Sequence, residues 1–75
     1  MTQIEELCKK GKLFFEKGKF LEAMECYEQA ILLNPTDPDL WNSKGNVLRT
    51  MGRYQEAIEC FNRSLEIDPR DKHAS

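Results

Sequence analysis

Apolar residues recur at helical spacing in four segments of the chain. Steps of three and four residues place side chains on one face of an α-helix, whereas a half-buried strand needs strict alternation, and no segment alternates. The sequence therefore predicts an all-α fold with four helices and no strand. The apolar faces are formed by Ile4, Leu7, Gly11 and Phe14; by Phe20, Ala23, Met24, Tyr27, Ala30 and Ile31; by Trp41, Gly45 and Leu48; and by apolar positions of segment 54–67.

Residues that begin or end a helix separate these segments. Thr2 followed by Glu5 has the spacing of a capping box at the start of the first helix. Asp37 is suited to capping the third helix, with Pro38 at its first position, where the missing N–H costs nothing. Glycine provides the left-handed residue that commonly follows a helix, and proline cannot continue one. The predicted stops are Gly18, Asn34-Pro35, Gly52 and Asp68-Pro69.

The second half of the chain repeats the first half at a spacing of 34 residues. A fixed period of this length is typical of stacked arrays, in which one helical hairpin cannot bury its own apolar face. We predict repeat 1 at residues 4–37 and repeat 2 at 38–71, within one domain of residues 1–75. The identical pairs are Lys10/Lys44, Gly11/Gly45, Gly18/Gly52, Glu22/Glu56, Ala23/Ala57, Glu25/Glu59, Cys26/Cys60, Pro35/Pro69 and Asp37/Asp71.

Two repeated glycines lie in the middle of predicted helices. Glycine there costs roughly 1 kcal/mol relative to alanine, so Gly11 and Gly45 need a compensating gain. We expect close approach of the second helix of each repeat, with Tyr27 and Phe61 filling the space at the crossing. By their spacing, most aromatic side chains are predicted to lie in the core. These are Phe14, Phe20, Tyr27, Trp41, Tyr54 and Phe61.

The repeated positions resemble the tetratricopeptide repeat (TPR) family, whose signature is W-x2-L-G-x2-Y, then A-x3-F, then P. The second repeat reads Trp41-x2-Lys44-Gly45-x2-Leu48, Ala57-x3-Phe61 and Pro69. The first reads Leu7-x2-Lys10-Gly11-x2-Phe14, Ala23-x3-Tyr27 and Pro35. The resemblance implies two helix-turn-helix hairpins stacked as a short right-handed α-solenoid. It further implies that the first helix of each repeat, the A helix, lines a concave groove that holds a partner peptide or helix.

The family's groove positions, carried over by the resemblance, give a candidate recognition surface. Paired amides of Asn42 and Asn46 suit an extended backbone, while Lys12 and Arg49 suit carboxylates. Phe15, next to a core residue, is expected to be available to a ligand. The candidate peptide-binding residues are Lys9, Lys12, Phe15, Asn42, Ser43, Asn46 and Arg49. The other groove positions are Glu5, Cys8, Glu16, Asp39 and Thr50.

One ligand of the family is not expected here. The cochaperone members hold a chaperone's C-terminal carboxylate with lysine at the equivalent of position 8 and asparagine at 12 and 43. This chain has Cys8, Lys12 and Ser43 instead. We therefore predict a protein or peptide partner other than a chaperone tail.

Composition and charge narrow the partner class. The chain has 11 basic and 13 acidic residues among 75, with a net charge of −2, and both signs are interspersed. This balance disfavours nucleic-acid binding, including RNA recognition by a helical repeat, which needs a basic groove. No apolar run approaches the ~20 residues that span a bilayer, and the first residues are acidic where a signal peptide is basic. We expect a cytoplasmic protein with no membrane partner.

The sequence offers little catalytic chemistry. Cys26 and Cys60 occupy equivalent positions of the second helices and are expected to be packing residues, and the odd number of cysteines fits neither a disulfide framework nor a zinc site. His73 has no nucleophile at a recognisable spacing. We predict no enzyme activity, no metal and no cofactor.

Two repeats fall short of the three or more that such arrays generally need. Residues 72–75 read as a truncated cap or the start of a further helix, so we expect the chain to be a fragment of a longer TPR protein. Ile58, Phe61, Leu65 and Ile67 would then lack cover, which favours self-association through the last helix. An alternative remains that the segment is the docking module of a larger enzyme, such as a transferase or phosphatase.

Overall fold

Across the residues described by the computed structural model, 2–69, four α-helices follow one another and no strand occurs. They are α1 (Gln3–Glu16), α2 (Phe20–Leu33), α3 (Pro38–Thr50) and α4 (Tyr54–Ile67). The predicted all-α class and the order of two helical hairpins are confirmed. The predicted cap at 72–75, with Asp71 and His73, lies outside the described residues.

The predicted N-terminal caps of α1 and α3 are both present. The Glu5 amide donates to Thr2 Oγ1 at 3.2 Å, and the Asp39 amide donates to Asp37 Oδ1 at 3.0 Å. Pro38 is the first residue of α3. Each cap satisfies an amide that the helix itself leaves without a partner, so local sequence sets where these helices begin.

The A helices end in the same way in both repeats. After α1 the Lys19 amide donates to the Phe14 carbonyl at 2.8 Å, and after α3 the Arg53 amide donates to the Leu48 carbonyl at 2.9 Å. This bond pattern needs a left-handed residue just past the helix, which glycine adopts without a steric penalty. The two such residues are Gly18 (φ 79°) and Gly52 (φ 85°).

Within each hairpin an aromatic ring lies against a glycine. A Cβ placed on Gly11 would be 2.9 Å from Tyr27 Cζ, and one placed on Gly45 would be 2.6 Å from Phe61 Cε1. Both distances are shorter than carbon atoms tolerate. The predicted close approach of the paired helices is confirmed, and it explains why both repeats carry glycine at this position.

Helices α2 and α3 are central, because α2 packs against α1 and α3, and α3 packs against α2 and α4. At the junction between the repeats, Leu40 is buried with Ala30 and Ile31, and Val47 is buried with Tyr27. The predicted apolar faces omitted Leu40 and Val47. Those faces described contacts within a hairpin, whereas these two side chains are buried by the stacking of one hairpin on the other.

The last helix is less well covered than its spacing suggested. Tyr54 was predicted to be a core residue, but 63% of it is exposed, so that prediction was wrong. No helix covers this side of α4 within residues 2–69. Ile58 is 53% exposed, in agreement with the expectation that apolar residues of the last helix lack cover.

Candidate functional site

A groove of about 580 Å³ runs between α3 and α4. Polar side chains of α3 form one wall, and a mainly apolar face of α4 forms the other. Such a combination of an apolar base with convergent polar groups is typical of peptide-binding surfaces. The lining residues are Asp39, Asn42, Ser43, Asn46, Arg49, Phe61, Ser64 and Leu65.

The groove brings together the four predicted site residues of α3, namely Asn42, Ser43, Asn46 and Arg49. The three predicted on α1 do not line it. Lys9 and Lys12 are exposed on α1, and Phe15 is half-buried. The predicted residues therefore form one compact set on α3 and a separate set on α1.

Phe15 takes part in packing. Its ring lies edge-on to Phe20, with 5.5 Å between the ring centroids, and it contacts the buried cluster of Ala23, Tyr27 and Val47. The expectation that this ring is available to a ligand does not match these contacts. A part for Phe15 in ligand binding stays a prediction. Only the edge of the ring that remains exposed could contact a ligand.

Arg49 is the cation of the groove, and its position is held from two sides. Its Nη2 donates to Asn46 Oδ1 at 3.1 Å, and its guanidinium lies 5.9 Å from the centroid of the Phe61 ring. A guanidinium has five N–H donors in a planar fork, so this bond leaves further donors for a carboxylate. Asn46 and Phe61 thus orient Arg49 before any ligand arrives.

The two ends of α3 carry opposite charges into the groove. Asp39 lies in the first turn and Arg49 in the last turn. They are ten positions apart, which corresponds to about 15 Å along the helix axis. A ligand along α3 therefore meets an anion at one end and a cation at the other.

The lining residues of α4 were not predicted as part of the site. Phe61, Ser64 and Leu65 are the equivalents, 34 residues later, of Tyr27, Ala30 and Ile31 in α2. In the first hairpin those positions are buried beneath α3. The equivalence of the two repeats pointed to these three residues. Only the structure shows that α3 covers the equivalent region between α1 and α2, the first groove.

The groove between α3 and α4, the second groove, is more polar than the first groove, which α3 covers. Cys8 of the first groove is replaced by Asn42, Phe15 by Arg49, and Ala30 by Ser64. Each replacement adds a hydrogen-bonding group where the first repeat has an apolar one. The second groove is therefore suited to a ligand with polar groups of its own.

Trp41 lies outside the groove, and its contacts give it a structural role. Its Nε1 donates to the Pro35 carbonyl at 2.9 Å, while Lys44 Nζ and the Arg63 guanidinium lie 5.9 and 5.5 Å from its ring centroid. Lys44 also pairs with Glu28 at 3.2 Å, which links α3 to α2. Only 21% of the Lys44 side chain is exposed, so its aliphatic stem lies along the packed surface while its ammonium reaches Glu28.

The cysteine thiols are poor nucleophiles in this environment. Burial raises the pKa of Cys26 and of Cys60, both of which pack as predicted. Burial, with the nearby carboxylates of Asp37 and Asp39, raises the pKa of Cys8. A raised pKa keeps each thiol protonated near neutral pH, and the thiolate is the reactive form.

No helix between residues 2 and 69 is both long and apolar enough to cross a membrane. Nor does that part of the chain contain a group of three or more His, Cys, Asp or Glu side chains placed to hold a metal ion.

Comparison with known proteins agrees with the repeat pattern. A family model described as Tetratricopeptide repeat matches residues 38–71, and a second, described as TPR repeat, matches residues 11–52. A search of curated proteins found no match. Repeats of this kind generally mediate protein–protein interaction and are typically not catalytic. Because the second match spans more than half of the chain, and because two stacked hairpins are present, the protein belongs to the tetratricopeptide repeat family.

Proposed function

We propose that this chain is a protein-interaction module that holds a short segment of a partner protein in the groove between α3 and α4. The observation that carries the proposal is Arg49, a cation oriented by Asn46 and Phe61 at one end of a groove of peptide size. Preorganised groups bind with a smaller entropic cost than mobile ones.

The charges of the groove favour a particular peptide. An extended chain spans at most about 3.3–3.6 Å per residue, so about four or five residues bridge the distance along α3. An acidic side chain or a C-terminal carboxylate would pair with Arg49, and a basic side chain would pair with Asp39. Between them, Asn42 and Asn46 supply amide groups for backbone hydrogen bonds, and Phe61 and Leu65 an apolar surface for one aliphatic side chain.

The A helix of the first repeat would extend this surface. Lys9 and Lys12 are exposed there and favour acidic residues further along the partner. Arg49 is exposed as well, so solvent screens all three cations, but Arg49 is oriented by its hydrogen bond and by a neighbouring ring. The full proposed set is Lys9, Lys12, Phe15, Asn42, Ser43, Asn46 and Arg49.

The test is a pentapeptide array in which a basic and an acidic residue are placed at every pair of positions, followed by fluorescence-anisotropy titration of the best binders. We expect the strongest binding when the two charged residues are three or four positions apart. Arg49→Ala should weaken it by about tenfold or more, since a charge-assisted bond contributes roughly 1.5–3 kcal/mol.

Matched controls come from positions of α4 outside the groove. Arg63→Ala and Asn62→Ala remove the same side-chain types at exposed positions that do not line the groove. They should leave binding unchanged, while Asn46→Ala, which removes the acceptor that orients Arg49, should weaken it. Equal losses in the groove variants and the controls, or no loss in either, would place the binding site elsewhere.

A further inference from the structure

An apolar stripe runs the whole length of α4. It consists of Tyr54, Ile58, Phe61 and Leu65, whose spacing of four, three and four residues keeps them on one helical face. Tyr54 and Ile58 are more than half exposed, and Phe61 and Leu65 are partly exposed. The stripe contains no charged residue, and removing its exposed apolar surface from water would be favourable.

The first repeat shows what normally covers this stripe. The equivalent positions in α2 are Phe20, Met24, Tyr27 and Ile31, and none of these is exposed. Tyr27 and Ile31 retain only 8% of their surface in water. A neighbouring helix, α3, provides the cover through Leu40 and Val47. The stripe of α4 therefore has the character of a helix-binding surface. No helix within residues 2–69 covers it.

Among the four helices of residues 2–69, α1 and α4 are the candidates to cover the stripe in a second copy. In head-to-tail stacking, α1 would take the place of α3, but Glu6 of α1 and Lys17, the residue after its end, occupy the positions of Leu40 and Met51. Burying those charges without partners would be costly. The other candidate is α4 itself, because its stripe is apolar from end to end.

We propose that a second copy of this chain covers the stripe, with the two α4 helices packed antiparallel about a twofold axis. In that arrangement Ile58 meets Phe61 of the partner subunit, and Tyr54 meets Leu65 of the partner subunit. Each contact then occurs twice, and the interface closes at a dimer. Gln55 and Asn62, beside the stripe on the outer side of α4, are uncharged, so the helices approach without a like-charge pair there.

Two of the stripe residues are shared with the groove. Phe61 and Leu65 line it, so the second copy and a peptide would compete for them. The dimer forms with the groove empty and therefore does not depend on the proposed peptide function.

Sedimentation equilibrium over a wide concentration range tests the proposal, with circular dichroism to confirm that each variant is folded. The unchanged chain should show a monomer–dimer equilibrium. Ile58→Glu should raise the dimer dissociation constant roughly a hundredfold, because it places two carboxylates in the apolar contact. Tyr54→Lys is a second, independent variant that should act in the same direction.

Leu32→Glu is the matched control, since Leu32 is 82% exposed on α2 and lies outside the stripe. It should leave the dissociation constant unchanged. A chain that stays monomeric at every concentration, a series of species larger than a dimer, or equal effects of Leu32→Glu and Ile58→Glu would each overturn the proposal.

Discussion

At the scale of single residues, the pairing of a glycine with an aromatic ring decides how closely the two helices of a hairpin approach. Gly45 would ordinarily weaken α3, because glycine has a low helix propensity. The ring of Phe61 occupies the space that a side chain would need. The same ring also faces Arg49 in the groove, so one small residue positions both the hairpin and part of the candidate site.

Replacing Gly45 by alanine should destabilise the chain, although alanine ordinarily stabilises a helix relative to glycine. Gly45→Ala should lower the free energy of unfolding by about 1–3 kcal/mol, because the new methyl group overlaps Phe61. In a Phe61→Ala background the same change should be neutral or stabilising, by up to roughly 1 kcal/mol. Urea unfolding of the four chains gives both values. A Gly45→Ala chain as stable as its parent would show that the ring can move aside at no cost.

At the scale of helices, local sequence decides where a helix begins and ends, and packing decides which of its faces is buried. Side-chain caps set where α1 and α3 begin, and glycine turns set where they end. These features were predicted correctly from the sequence because each depends on residues within a few positions. Which faces are buried depends on distant helices. Leu40 and Val47 were missed and Tyr54 was wrongly placed in the core, since all three depend on whether another helix packs on that side.

The cap of α3 allows an element-scale test. Asp37→Ala should destabilise the chain by about 1 kcal/mol, because the Asp39 amide loses its acceptor. Asp37→Asn keeps an oxygen at the same place and should retain most of the stability. Thermal unfolding followed by circular dichroism distinguishes the two. Equal losses in both variants would assign the effect to the charge and not to the cap.

At the scale of the whole molecule, three buried ionisable side chains and one half-buried side chain link stability to pH. Burial raises the pKa of Cys8, Cys26, Cys60 and the Tyr27 hydroxyl in the folded chain. Unfolding returns each to its ordinary value, so the unfolded chain releases these protons at a lower pH than the folded chain does. The contribution of these groups to the free energy of unfolding is fully present below about pH 8.5. It is lost as the pH rises through the raised pKa values of the folded chain.

The urea midpoint should therefore fall between pH 8 and pH 10. A Cys26→Ala/Cys60→Ala chain should show a shallower fall, because two of the titrating groups are gone, even if its stability at pH 7 is lower. An identical slope in the two chains would assign the pH dependence to other groups.

The sequence by itself determined the helices, their ends and the repeat, because propensity, capping and periodicity are local or are visible by aligning the chain with itself. It also identified the groove residues of α3 through the resemblance to a family. Only the tertiary structure decided that α3 fills the first groove while the equivalent groove beside α4 stays open. Burial is a relation between helices distant in sequence, so the same apolar stripe is core in α2 and surface in α4.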